Sequence, residues 1–329
     1  MSRGAGEFRK IGENYGVLIL VLGVTVVGAN ILQPGILSLQ NVSSMITFGV
    51  EIGLIALGET LVILGGGGGI DLSVGSMYAV SQVIVGLLAQ RHVNILSAVA
   101  AGLTAGVIMG FVNGLLVTRV KIPAIITTLA TMYAFSGVAL LLTDGIDVSA
   151  FPTSYSFIGQ GLIWGLPAQF VLLYVPAALI LWVVLGKTVY GQQLYLTGTN
   201  QLAAVLSGIN VKQVRMWTYV ITGFLAAVAG VVDSSRLVTA RPDAGATANL
   251  AAITIAVLGG TSIFGGKGSV WGTAIATLVI TLVSYSFSLA NINSVIETGT
   301  IGGVLIVVIL FQGYLARWFA RGGRVNAKA

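Results

Sequence analysis

The chain has 329 residues, 56% of them hydrophobic and only 8% charged, with a mean hydropathy of +0.98. A soluble domain carries roughly 25% charged residues, so this composition excludes a water-soluble fold and assigns most of the outer surface to lipid. The net charge of +6 must be read by its distribution, and the absence of cysteine excludes disulfides, thiol nucleophiles and cysteine-based metal sites.

At roughly 20 residues per crossing, the length admits about ten membrane helices and no soluble domain of useful size. Apolar runs place them at 15–33, 42–64, 73–90, 95–117, 123–142, 168–186, 216–233, 249–264, 270–289 and 299–316. With the N-terminus inside, only Arg91, Arg236 and Arg241 of the 16 basic residues fall outside, as the positive-inside rule requires. Trp182, Trp217, Trp271 and Trp318 fall at cytoplasmic helix ends, where amphipathic rings prefer to sit. The basic charge is therefore topology, and no nucleic-acid partner is needed to explain it. The expected fold is an all-α polytopic membrane protein with about ten transmembrane helices and both termini cytoplasmic. Residues 1–14 form a cytoplasmic N-terminus, 15–316 a single transmembrane domain with a cytoplasmic loop at 187–215, and 317–329 a cytoplasmic C-terminus.

Span two carries Glu51 and Glu59, eight residues apart and so about 80° around the helix. A carboxylate within the membrane is a functional-site candidate by default. After this span the chain reads "ILGGGGGIDLSVGS", Ile63 to Ser76. Asp71 stands at an N-cap position ahead of an apolar helix. Gly68, Gly69, Asp71 and Ser73 are the cap or hinge residues. Two readings stand: a tight reversal with a capped helix start, or a flexible break that shifts during transport.

His92, the only histidine, falls in a loop and reads as a solvated surface side chain. Span four places Gly102, Gly106, Gly110 and Gly114 at four-residue intervals, one helix face along which another helix can approach closely. Asn113 beside them is read as an interhelical hydrogen bond or a pathway residue. The outside segments around 143–167 and 234–248 carry Asp144, Asp147, Asp233, Arg236, Arg241 and Asp243, and are expected to form an external docking surface.

The longest cytoplasmic segment runs from Lys187 to Arg215. Thr199 or Asn200 can start a short helix there and Gly208 can end it. Leu202, Val205, Leu206 and Ile209 recur on one face, with Ala203 and Ala204 thin beside them and Ser207 ahead of the glycine. That stripe lies on the membrane, folds against the protein's own helices, or inserts in a groove of a partner. Several chemistries are absent. In "GTSIFGGKGS" Lys267 is followed by Gly268 and position 261 is Thr, so there is no phosphate loop. No G-x-S-x-G or H-E-x-x-H occurs.

Four segments, "GGIDLSVGS" at 68–76, "NGLLVTRVKIPAIITTLATM" at 113–132, "GTNQLAAVLSGINV" at 198–211 and "VLGGTSIFGGKGSVWGT" at 257–273, stand in an order that resembles the permease subunits of ATP-binding-cassette importers. The resemblance is to those for ribose, xylose, rhamnose and the sugar-like autoinducer, and it covers about residues 42 to 316. Five glycines precede Ile70 where that family usually shows two. The resemblance implies a multi-pass permease of the bacterial cytoplasmic (inner) membrane, paired with a second permease subunit (a copy or a homologue). It further implies a cytoplasmic ATPase that carries ATP and Mg, and an extracytoplasmic sugar-binding protein. The chain itself holds no cofactor and is not an enzyme. The segment Asn200 to Ile209 then carries the coupling to the ATPase. The rival reading is a proton-coupled secondary transporter using Glu51 and Glu59; a scaffold or receptor without transport is a third.

Overall fold

The computed structural model describes residues 18, 19 and 21–325, with side chains described as far as residue 310. The expected N-terminal segment 1–14 and the side chain of Trp318 lie outside the described residues. Among the described residues, six helices are long and apolar enough to cross a membrane: Leu39–Leu64, Ile95–Val120, Ala124–Thr143, Phe170–Lys187, Val211–Leu237 and Val270–Leu289. Shorter apolar helices are Val21–Leu32, Val74–Gln90, Ala248–Leu258 and Ser294–Leu310. The chain is thus a helical, polytopic membrane protein.

In chain order the helices are α1 (Val21–Leu32), α2 (Leu39–Leu64), α3 (Val74–Gln90), α4 (Ile95–Leu115), α5 (Ala124–Thr143), α6 (Ser156–Gln160), α7 (Val175–Lys187), α8 (Val189–Thr199), α9 (Gln201–Leu206), α10 (Val211–Leu237), α11 (Ala248–Leu258), α12 (Val270–Leu289) and α13 (Ser294–Val325). Wider π-helical turns extend α4 through Leu116–Val120 and lead into α7 at Phe170–Tyr174. A small hairpin pairs Leu162–Ile163 with Leu166–Pro167 around Trp164 and Gly165, both at positive φ.

Local chemistry sets many of the starts. Side chains of Ser38, Asn94, Thr188, Asn200, Asn210 and Ser269 each accept from a backbone N–H in the first turn of the following helix. Packing sets the arrangement. α2 and α10 are buried along most of their length, whereas α4, α5 and α7 expose most of theirs, as lipid-facing helices do. α2 and α10 are tied by Thr222 Oγ1 donating to the Gly58 carbonyl at 2.9 Å, and α2 and α12 by the Thr60 and Thr273 hydroxyls at 2.7 Å.

Two stretches of irregular backbone run inside the fold. After α2 the chain turns at Gly65–Gly69 and climbs back beside the helix, so that the Asp71 N–H meets Glu59. Glu59 lies five residues before the end of α2, about 7.5 Å along its axis. From the other end, the chain after α10 descends along α3: the Arg241 N–H reaches the Gln82 side chain at 3.3 Å, and Gly245 packs on Gly75. The Gly75 N–H then donates to Asn249 Oδ1 at 2.7 Å. This descent explains why the eighth apolar segment, expected over 249–264, forms only the short helix Ala248–Leu258. α11 starts deep in the fold and stops at Leu258, where Gly259 packs on the Gly272 backbone and Gly260 takes φ +90°. Irregular backbone is tolerated at membrane depth only where protein surrounds it.

Candidate functional site

The loop between α7 and α10 is built, not slack. Thr188 caps α8, whose Leu194 is fully buried, and Tyr190 and Tyr195 donate their hydroxyls to the carbonyls of Val214 and Gly268. Burial pushes the Tyr190 hydroxyl pKa above its ordinary value. α8 is therefore fastened to the body. Asn200 then caps α9, its Oδ1 accepting from the Ala203 N–H at 3.1 Å, while the Thr199 hydroxyl turns back to the Tyr195 carbonyl. Gly208 ends the segment at φ +79°, a conformation that glycine adopts without strain. Ala204 faces the protein and Ile209 packs on the core. Leu202, Val205 and Leu206 face outward and are 70%, 52% and 80% exposed; Ala203 and Ser207 are exposed as well. The four-residue stripe is thus divided: Ile209 anchors it and the other three stand free.

Behind α9 two glycine turns meet at the end of α8. Gly66, Gly67 and Gly68 take φ of +68°, +68° and +72°, the left-handed region that favours glycine. A Cβ on Gly66 would sit 2.9 Å from the Gly198 Cα, and one on Gly198 would strike the Leu64 carbonyl and the Gly266 nitrogen. Gly265 packs on Gly66, and the Gly266 N–H donates to the Leu64 carbonyl at 3.0 Å. The Arg215 Nε donates to the Gly65 carbonyl at 3.0 Å, its guanidinium lying against Gly67. The glycine run is a tight reversal whose missing side chains let the ends of α2 and α8 and the approach to α12 touch through backbone alone.

Above this junction lies a chain of buried polar groups. Glu59 Oε1 accepts from the Asp71 N–H at 3.0 Å. Asp71 Oδ1 accepts from both the N–H and the hydroxyl of Ser73, and Asn113 Nδ2 donates to the Ser73 hydroxyl at 2.7 Å. All four side chains are fully buried. The expected capping role of Asp71 is corrected in detail: Ser73 occupies the N-cap position of α3, and Asp71 holds Ser73 while Asn249 takes the Gly75 N–H. Asn113 joins α4 to the start of α3. Gly69 packs on the Val62 carbonyl and closes the same turn, while Gly68 is open to solvent.

At the C-terminal end of α10, Glu51 accepts from Arg236 at 2.7 Å and 3.3 Å. Arg236 also donates to Asp233 at 2.8 Å and lies 4.8 Å over the Phe48 ring, and Arg241 reaches Asp233 at 3.4 Å. This corrects the expectation of exposed charge at Asp233 and Arg236, whereas Asp144, Asp147 and Asp243 are exposed and the Arg241 side chain is partly so. Asp233 is fully buried and Arg236 turns inward, because a buried carboxylate pair demands a cation. Glu51 also lines a cavity of about 260 Å³ with Phe48, Ser284, Tyr285, Ser288 and Glu297. A feature the sequence did not single out is the hairpin tip, where Trp164 is 91% exposed at positive φ, a conformation its residue type does not announce.

The α4 glycines pack within the chain. Gly102 meets Ser81 and Val85 of α3; Gly106, Gly110 and Gly114 meet Gly223 and Ala227, Tyr219, and Met216 of α10.

Residues 41–310 match the family described as branched-chain amino acid transport system / permease component. Ribose import permease protein RbsC of Bacillus subtilis is 38% identical over 309 residues, 93% of this chain and 94% of the relative. Ribose import permease protein RbsC of Escherichia coli K12 is 33% identical over 89% of this chain and 91% of its own. Autoinducer 2 import system permease protein LsrD of Escherichia coli SMS-3-5 is 32% identical over 92% and 94%. No solved structure matches the chain. With a match across most of its length and relatives aligned nearly end to end, the chain belongs to this family of membrane transport permeases.

Proposed function

We propose that the chain is the permease subunit of an ATP-driven, binding-protein-dependent importer for a simple sugar or a sugar-like solute. It crosses the bacterial cytoplasmic (inner) membrane ten times with both termini inside, pairs with a second permease subunit, and leaves ATP and Mg to a separate ATPase. An extracytoplasmic sugar-binding protein delivers the solute, and the exposed outer hairpin around Trp164 supplies part of its landing surface. The family description speaks of branched-chain amino acids, but the relatives matched along almost their whole length are named for ribose and autoinducer 2. Those names favour a neutral, hydroxyl-rich solute.

The observation that carries the reading is α9: a capped helix on a fastened base, presenting Leu202, Val205 and Leu206 with nothing over them among the described residues. Such a knob fits a groove on a partner. Force on α9 passes through Gly198 and Thr199 into Gly66 and Gly265–Gly266, and so into α2 and α12. Because these contacts are backbone on backbone, no rotamer can absorb the movement. Glu51 contributes to the pathway through its outer cavity, while Glu59 and Asn113 fix the climbing segment that bounds the pathway below it.

The proton-coupled alternative is not favoured. Glu51 is bound by Arg236, and Glu59 is sealed from solvent. The test is retention of the ATPase encoded beside this chain by the detergent-solubilised permease. Leu202→Asp with Leu206→Asp should abolish retention without unfolding, since both side chains are exposed. If no ATPase binds the wild type, and uptake instead follows a proton gradient through Glu59, the importer reading fails.

A further inference from the structure

Beside α9, a cavity of about 320 Å³ opens between the glycine turn, the π-helical turn after α4, and the starts of α5, α9 and α10. Its charged lining is cationic throughout: Lys121, Lys212 and Arg215, with no acidic residue. Among the described residues, none of these three pairs with a carboxylate; the ion pairs described lie in the outer network around Asp233. Three positive charges around one concavity without a counter-charge repel one another and attract an anion.

The surrounding backbone favours the same occupant. α5 starts at this cavity with Pro123 in the N-cap position, so no side chain caps it, and Ala124 of its first turn lines the wall. α10 also begins here, Val211 and Lys212 lining the cavity. Two long helices thus direct the positive ends of their dipoles into one space. Lys121 is held at φ +68° by the π-helical turn, a conformation that non-glycine residues seldom adopt. Arg215 uses two of its donors on the Gly65 carbonyl and Gln201 Oε1 and keeps others. Lys121 and Lys212 are exposed at the rim.

We infer that this cavity binds a phosphate group, with Lys121 and Lys212 as the mobile cations and Arg215 as the fixed one. Phosphate fits better than a carboxylate, because it presents several acceptor oxygens to donors arriving from three sides. Its source is either a soluble phosphate ester or the headgroup of an anionic phospholipid, and basic pockets at a membrane's inner face suit the latter. Through Arg215 and Gln201 the occupant touches both the glycine turn and the root of α9, so binding stiffens the coupling segment. The inference concerns binding by this chain and stands apart from the transport reading.

The experiment uses the full chain, delipidated in a neutral detergent, and follows its thermal unfolding at fixed ionic strength. One arm titrates glycerol 3-phosphate against glycerol; the other titrates dihexanoyl phosphatidylglycerol against dihexanoyl phosphatidylcholine. A saturable rise with either phosphate probe is expected. It should weaken roughly tenfold or more in Lys121→Gln with Lys212→Gln, and persist in Lys121→Arg with Lys212→Arg. A response in the first arm alone identifies a soluble ester, and in the second alone a lipid. The proposal is overturned if neither probe acts on the wild type, or if the glutamine variant responds as the wild type does. It is likewise overturned if the glutamine variant merely loses the ATPase while neither probe binds, since the patch would then serve that protein.

Discussion

Arg236 and Glu51 stand 185 residues apart in sequence, yet the Nε of one donates to the Oε1 of the other at 2.7 Å. The pair clasps the C-terminal end of α10 to the middle of α2, the two most buried of the long helices. Asp233 and the Phe48 ring hold the same guanidinium, so its position is fixed from three directions.

Removing one member of such a pair leaves the other buried without its partner. Arg236→Gln should destabilise the protein by on the order of 3 kcal/mol. Glu51→Gln with Arg236→Gln should recover part of that loss, since it leaves no charge stranded between them. Thermal unfolding followed by tryptophan fluorescence, run as a double-mutant cycle, checks this; strictly additive losses would show that the two residues act independently.

The glycine run makes a sharper contrast possible. Gly66 and Gly68 share the left-handed conformation, but only Gly66 has backbone against it. Gly66→Ala should lose about 2 kcal/mol or more, from strain and from collision with Gly198. Gly68→Asn should be nearly neutral, because asparagine tolerates this conformation and the position is open. Equal yields and equal melting points for the two variants would refute the junction described here.

Along α4, Gly110→Ala drives a methyl into the Tyr219 carbonyl and should cost about 1–3 kcal/mol. Gly137→Ala in α5 meets open space and should raise stability by roughly 0.5 kcal/mol. Unfolding measured on both variants separates packing from helix propensity: propensity alone would stabilise both.

Glu59 tests the buried polar chain. Glu59→Gln keeps an acceptor for the Asp71 N–H and should fold within about 1 kcal/mol of wild type. Glu59→Ala removes the acceptor and opens a cavity, and should lose about 3 kcal/mol. ATP-driven uptake in reconstituted vesicles should survive Glu59→Gln, and its loss in a stable variant would return the carboxylate to the centre of the mechanism.

Hydropathy made the helical segments readable, because lipid demands apolar runs wherever the chain crosses. The cap at Asn200 and the stop at Gly208 were readable for a local reason: both act on backbone within four residues. What escaped was set by partners distant in sequence. Nothing near Gly66 indicates that Gly198 and Gly265 will press on it. Asp233, Arg236 and Arg241 read as part of an external docking surface, since the inward pairing with Glu51 depends on how α10 lies against α2. Asn113 was readable as an interhelical donor, but its acceptor, the Ser73 hydroxyl 40 residues earlier, was not.

The meeting of Gly66, Gly198 and Gly265 also bears on how the chain is made. Residue 66 leaves the ribosome and enters the membrane long before residue 265 exists. Until α8 and the approach to α12 arrive, the turn after α2 has none of the backbone that later surrounds it. Five residues without side chains can wait in that state, since they offer nothing to a wrong neighbour and no bulk to clear when the right one comes. The turn made early gains the contacts that enclose it only once α8 and the approach to α12 have been made.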